Sequence, residues 1–221
     1  MRIAVMQPYF VPYLGYFRLL AAADLFVAYD CVQFPRRGWV HRNQLLDDLE
    51  RPQWLTLPLA PAAFDTRIDG LAFADLGARE MAVRLNRFPV CRAPKTERGT
   101  ELLAAARRLD EPPAAYICRL LGLVAAALGI ATPILRSSTL NLPAELRHQD
   151  RILAICSHFG ASAYLNAPGG RELYDSAAFK GRGISLSFLT DYRGSMLSVM
   201  QRLGTEDPAV LRQELDANLD C

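Results

Sequence analysis

The sequence predicts an α/β fold: a mostly parallel, doubly wound sheet with a helical insertion, all within one domain spanning 1–221. Three observations predict it. Short apolar runs recur at 3–6, 25–29, 133–137, 162–165 and 184–189, each the length of a strand buried on both faces. Segments with apolar residues at helical spacing separate most of them, and strand alternating with helix is the pattern of parallel βαβ units. Between the second run and the third, residues 74–130 read mainly as helix, which marks the insertion.

Composition bounds the answer. At 221 residues the chain is long enough to bury a sizeable core. Hydrophobic residues make up 51% and charged residues 22%, which excludes a disordered protein. A formal net charge of +2 gives no general attraction for nucleic acid. The longest apolar candidate, 120–130, falls short of the roughly 18 residues of a membrane span, so none is expected. The first run is broken at Gln7-Pro8 and preceded by a single Arg, unlike a secretory leader, so the expected location is the cytoplasm. Five cysteines (Cys31, Cys91, Cys118, Cys156 and Cys221) without CxxC spacing indicate neither a disulfide framework nor a zinc ribbon.

Each element has a local reason. The first unit runs from strand 3–6 through a Pro- and aromatic-rich loop to a short helix from near Leu14 and then strand 25–29. Residues 53–59 form a strand ended by Pro58, and 66–71 read as another short strand. Helices follow at 74–88, stopped by Pro89, at 96–109, and at 114–128, opened by Pro112-Pro113 and closed by Gly129. Residues 148–159 carry Ile152, Ile155 and Phe159 on one side, with Gly160 as cap. A further helix starts at Arg171, and a terminal one covers 208–219. Within 79–108, eight basic residues face three acidic ones; such a patch would receive an acyl carrier protein, through its phosphopantetheine, or a sugar nucleotide, although solvated helix faces have the same pattern.

Ligands of doubly wound sheets bind beyond the carboxyl ends of the strands, so the polar residues there are the candidates. Gln7 and Tyr9 follow the first strand, and Asp30 and Gln33 follow the second. Asp30 is the candidate general base, since a carboxylate at such an end is partly desolvated; an N-cap or turn role is the alternative. Cys31 beside it invites a nucleophile reading, with His41 as its base. Arg37, Trp39, His41, Arg42 and Asn43 form a polar, aromatic cluster in a loop over the sheet edge, with Arg42 and Asn43 as a clamp for phosphate or carboxylate. The turn Asn166-Ala167-Pro168-Gly169-Gly170, between a strand and a helix, suits the cradling of an anion by backbone N–H groups, although it is not a P-loop. Tyr174 sits one turn later, and Asp191 and Tyr192 follow the last strand to the same edge. Asp30, Gln7 and His41 are thus the catalytic candidates. HExxH, DxD and GxSxG are absent, and His148 and His158 have no second ligand nearby, so no metal site is expected and no cofactor is named.

The string Tyr13-Leu14-Gly15-Tyr16 sits where HxGH-type nucleotidyltransferases carry their signature, and Ala23-Asp24-Leu25-Phe26-Val27 continues the likeness. The layout therefore resembles a Rossmann-like, nucleotidyltransferase-like sheet. Tyr13 and Tyr16 replace the two histidines, and a phenol with a pKa of about 10 is a poor substitute at a phosphate transition state. Phosphate binding by Tyr13, Gly15 and Tyr16 at this helix start stays plausible; adenylyl transfer by the histidine mechanism does not.

The strings Gln7-Pro8-Tyr9, Pro12-Tyr13-Leu14-Gly15-Tyr16-Phe17, Asp30-Cys31-Val32-Gln33-Phe34, Arg37-Gly38-Trp39, Arg42-Asn43 and Trp54-Leu55-Thr56 resemble the WbqC-like protein family. Later pieces, Ile155-Cys156, Tyr164-Leu165, Gly169-Gly170, Tyr174 and Leu197-Ser198-Val199, resemble it too. The resemblance implies a neighbourhood of O-antigen and related polysaccharide biosynthesis or specialised-metabolite biosynthesis, and transfer of an activated sugar or acyl group. Two positions depart from the family pattern: Cys31 stands where an acidic residue is frequent, and Gln201 where Ser-x-x-Asp has its Asp. The expectation is a transferase acting on a phosphate-bearing small-molecule substrate, either a sugar nucleotide or an acyl or aminoacyl thioester. The alternatives are a non-catalytic binding or scaffold protein on a nucleotide-binding fold, and a divergent nucleotidyltransferase-like enzyme.

Overall fold

A computed structural model describes residues 1–220. In chain order its elements are β1 (Arg2–Met6), α1 (Phe17–Ala21), β2 (Leu25–Ala28), β3 (Arg42–Leu46), β4 (Pro52–Thr56), α2 (Gly77–Leu85), α3 (Pro89–Arg92), α4 (Glu97–Ala106) and α5 (Pro113–Ala127). They continue as β5 (Ile134–Arg136), α6 (His148–His158), β6 (Ala163–Asn166), α7 (Ser176–Lys180), β7 (Ser185–Phe188), α8 (Val199–Thr205) and α9 (Pro208–Asp216). The apolar runs pair as one parallel sheet in the order β5-β2-β1-β6-β7.

Side chains alternate across this sheet, and both faces are covered. Ala4, Phe26, Ala28 and Leu165 pack into the core formed with α1, α2, α4, α5, α8 and α9. Ile3, Val5, Leu25, Val27 and Tyr164 face the other way, against Ile152, Ile155 and Cys156 of α6 and Phe179 of α7. Each large aliphatic or aromatic side chain buried this way contributes about 1.5–3 kcal/mol, which is why strands of four or five residues hold. The residues between β2 and β5 leave the sheet to form a β3–β4 hairpin and then α2 to α5.

Three local expectations are corrected. Residues 66–71 are not a strand: pairing stops at a single antiparallel bridge, Arg67 with Gln33, and Ile68–Gly70 turn away as a 3-10 helix. The helix expected from Arg171 begins at Ser176, after a 3-10 stretch Pro168–Leu173, where the Asp175 carboxylate caps Ala177 N–H. The strand around 53–59 pairs antiparallel with β3, a strand whose polar residues Asn43 and Gln44 had concealed it within a loop.

The loop between β1 and α1 is held from outside itself. Val11 has φ +37°, a left-handed conformation that a β-branched residue strongly resists. Its carbonyl accepts from Asn43 Nδ2 at 2.8 Å and from Ser198 Oγ at 2.6 Å, and Asn43 Nδ2 also reaches the Phe10 carbonyl at 3.2 Å. Phe10 N–H in turn donates to the carbonyls of Trp39 and Val40, and Val199 N–H to that of Pro12. Asn43→Ala should therefore cost about 2 kcal/mol of stability, because it leaves the Phe10 carbonyl and Gln44 N–H without this partner and the Val11 carbonyl with Ser198 alone. Urea unfolding measures this, with the partly exposed neighbour Gln44→Ala as control, expected within about 0.5 kcal/mol of the parent.

Candidate functional site

From β1 the chain crosses to β2 on one side, and β6 later returns to the other, so the carboxyl ends of β1 and β6 form a topological switch point. A cavity of about 450 Å³ opens there. Met6, Gln7 and Asn166 bring the strand ends to it, Tyr9, Tyr13, Gly15 and Tyr16 the loop after β1, and Gly169, Gly170 and Tyr174 the turn after β6. The sequence had singled out all of these except Met6. Tyr192, which follows β7, also reaches it.

Six of the eight tyrosines of the chain meet in this cavity. Burial raises the pKa of each: Tyr9, Tyr13, Tyr174 and Tyr192 are raised, Tyr16 lies well above the ordinary value, and Tyr29 is pushed up to about 12. At neutral pH they are therefore uncharged hydroxyls and aromatic faces. Tyr16 donates to the Gln7 carbonyl at 2.8 Å, and Tyr174 and Tyr164 share a hydroxyl–hydroxyl bond at 3.2 Å. The Tyr192 hydroxyl bonds to Glu214, whose carboxylate Arg202 holds ionised below its usual range at 2.8 Å. That arrangement fixes the Tyr192 ring against Gly15, where an added Cβ would lie 2.6 Å from Tyr192 Cγ. Gly170 is under the same constraint, since a Cβ there would meet Asn166 Nδ2 at 2.6 Å.

Two polar residues of the lining, Arg18 and Tyr29, were not among the candidates. Arg18, 1% exposed, supplies the one charge of the lining among the described residues and donates to Thr190 O at 2.8 Å and Thr190 Oγ1 at 3.0 Å. A lone Arg inside the apolar run Phe17-Arg18-Leu19-Leu20 was the available signal. Tyr29 was hidden by the more conspicuous Asp30 beside it. The lining contains no carboxylate, histidine, lysine, cysteine, serine or threonine among the described residues, so beside Arg18 it offers aromatic faces, neutral phenols and the amides of Gln7 and Asn166.

The second expected cluster is not brought to this cavity. Asp30 is fully buried, and its carboxylate accepts from Arg136 Nε (2.9 Å), Ser137 Oγ (3.0 Å), Ser138 N (2.8 Å) and Ser138 Oγ (2.7 Å). Those four bonds tie the end of β2 to the end of β5. Cys31 is buried, with Arg151 Nε 3.1 Å from its sulfur. Gln33 Nε2 donates to Phe64 O at 2.8 Å. Arg42 does not form a clamp with Asn43: its guanidinium lies 4.3 Å over the Trp54 ring and donates to the carbonyls of Arg37 and Gly38, while Trp39 packs on Trp54 at 5.2 Å. Asn43 spends its amide on the Val11 loop. His41 packs edge-on against Phe34 at 4.9 Å, and its Nδ1 is buried without a hydrogen-bond partner among the described residues.

In the basic stretch 79–108, Arg84, Arg92, Arg98 and Arg108 are already in ion pairs. Cys31, Cys91, Cys118 and Cys156 are free thiols, and Cys221 lies outside the described residues. Among the described residues no group of three or more His, Cys, Asp or Glu side chains is placed to hold a metal, and no helix is long and apolar enough to cross a membrane.

Removing the Asp30 carboxylate leaves Arg136, Ser137 and Ser138 without their shared acceptor. Asp30→Ala should cost about 3 kcal/mol in urea unfolding; a loss below about 1 kcal/mol would show that the network is not structural. His41 supplies a pH test. Desolvation, then the Arg42 charge, lowers its pKa from 6.5 to about 4, so the unfolded chain binds the extra proton between those values. The stabilisation is complete above pH 6.5 and is lost as pH falls toward 4. His41→Gln should flatten the fall in stability across that window, measured by unfolding at a series of pH values.

The model of the WbqC-like protein family matches residues 7–195. The matched span contains Gln7, the tyrosine loop, the end of β6 and the glycine turn of the cavity. A Mycobacterium tuberculosis protein, "Uncharacterized protein Rv1507c", is 26% identical to the chain over 240 aligned positions, covering 96% of this chain and 97% of that protein. No solved structure matches the chain significantly. With the family's pattern running through most of its length, the chain belongs to the WbqC-like protein family.

Proposed function

We propose that the chain is a transferase that binds a phosphate-bearing activated donor, a sugar nucleotide or an acyl or aminoacyl thioester, in the tyrosine-lined cavity. The observation that carries this reading is the cavity's place: it opens at the switch point of a doubly wound sheet, where such folds bind their ligands. Tyrosine faces suit a sugar or base ring, the amides of Gln7 and Asn166 orient it, and the buried Arg18 gives the cavity a positive potential for phosphate. No lining residue takes a proton, so acceleration comes from positioning an already activated group. The bond to the donor's phosphate or thiol breaks with its electron pair leaving on the donor, the acceptor forms the new bond, and the acceptor proton passes to the leaving group or water. The family resemblance favours surface-polysaccharide or specialised-metabolite assembly as the setting.

The lack of a carboxylate, imidazole, amine or thiol in the lining among the described residues favours a second reading, a protein that binds such a ligand without turning it over. One experiment addresses both. A thermal-shift screen against UDP-sugars and coenzyme A thioesters should find one class that raises Tm; a ligand at a hundred times its Kd stabilises by about 2.7 kcal/mol. Tyr9→Ala, which removes a stacking face, should weaken that ligand about tenfold or more. Product formed with an added acceptor supports the transferase; binding without product across acceptor classes supports the second reading. If no phosphate-bearing compound binds, both are wrong.

A further inference from the structure

A second depression, of about 640 Å³, adjoins the cavity and shares Pro168 and Gly169 with it. An added Cβ at Gly169 would meet nothing within 4 Å, so there is open space at the turn the two share. The groove lies at the carboxyl end of β7: Thr190, Asp191 and Arg193 follow that strand, and Asn218 and Asp220 follow α9.

Its chemistry is the opposite of the cavity's. Arg171, Arg193, Asp191 and Asp220 place two cations and two anions around one groove. Opposite charges on a shared surface ordinarily pair, yet none of these four takes part in an ion pair among the described residues. The Arg171 guanidinium lies 5.1 Å over the Phe188 ring, while Arg193 and Asp220 are fixed through their backbones, Arg193 N–H donating to Asn218 Oδ1 at 3.0 Å and the Asp220 carbonyl accepting from Thr190 N–H at 3.2 Å, which leaves their charged ends for the groove. A simple anion entering would meet two carboxylates, and a simple cation two guanidiniums. A group that carries both signs satisfies all four.

We propose that this groove is a second binding site, for a zwitterionic group of the amino-acid type, with its carboxylate toward Arg171 and Arg193 and its ammonium toward Asp191 and Asp220. The role of this group as acceptor rests on the donor reading of the cavity; the binding site itself does not. The arrangement gives the proposed transfer two compartments, a neutral aromatic one for the donor ring and a charged one for the acceptor, meeting at Gly169.

The test is an amide-resolved NMR titration of the isotope-labelled chain with L-alanine, sodium acetate and methylammonium chloride in parallel at constant ionic strength. L-Alanine should move the amides of Gly169, Thr190, Asp191, Arg193 and Asn218 saturably, and about tenfold more tightly than acetate or methylammonium. Asp191→Asn and Arg193→Gln, both at exposed positions, should each weaken L-alanine about tenfold while leaving Tm unchanged. Equal response to acetate or to methylammonium, or no saturable response to L-alanine, overturns the proposal. A separate titration with UDP, read at Gly15 and Gly170, reports on the cavity, so failure of the donor reading and failure of the groove are seen independently.

Discussion

The carbonyl of Val11 is the point on which the site depends. Holding a β-branched residue at φ +37° costs on the order of 1–3 kcal/mol, and such strain persists only where the surroundings over-determine it. Here the surroundings are Asn43 of the β3–β4 hairpin and Ser198 at the start of α8, 32 and 187 residues away along the chain. Ser198 acts twice, donating to Val11 O and accepting Met200 N–H as the helix cap, so the register of α8 and the shape of the loop are set by one hydroxyl. The hairpin and the C-terminal helices thus do more than cover the sheet: they impose on the loop after β1 a conformation it would not choose.

That imposed loop turns an ordinary strand end into a cavity. Tyr16 closes back onto Gln7, Gly15 admits the Tyr192 ring, and the Glu214–Arg202 pair holds that ring from behind. Because every phenol is desolvated and raised in pKa, the tyrosines of the lining stay neutral, and Arg18 is its one charge among the described residues.

Much of this was legible in the chain. Strands buried on both faces must be apolar throughout, so β1, β2 and β6 stood out, while the edge strand β7, with Ser185 and Ser187 in it, was legible from the wider run 184–189, and the switch-point rule then placed Gln7, Tyr13, Gly15, Asn166 and Gly170 near one another. The 33–43 cluster shows where such reasoning stops. Donors such as Asn43 and Arg42 look the same in sequence whether they reach a ligand or a carbonyl of their own fold, and here the partners are Val11 and Arg37, contacts fixed only by tertiary packing. Asp30 likewise found its partners 106 to 108 residues away, at the end of β5. Arg18 was concealed by the apolar helix that carries it.

Hydrogen exchange on Ser198→Ala measures the central dependence most directly. If the loop is held from outside, exchange of the Phe10 and Tyr16 amides accelerates while the amides of β1, β2 and β6 keep most of their protection. If protection falls evenly across the sheet and the loop, or if the loop does not change, Val11 is not held by this clamp and the cavity owes its shape to something else.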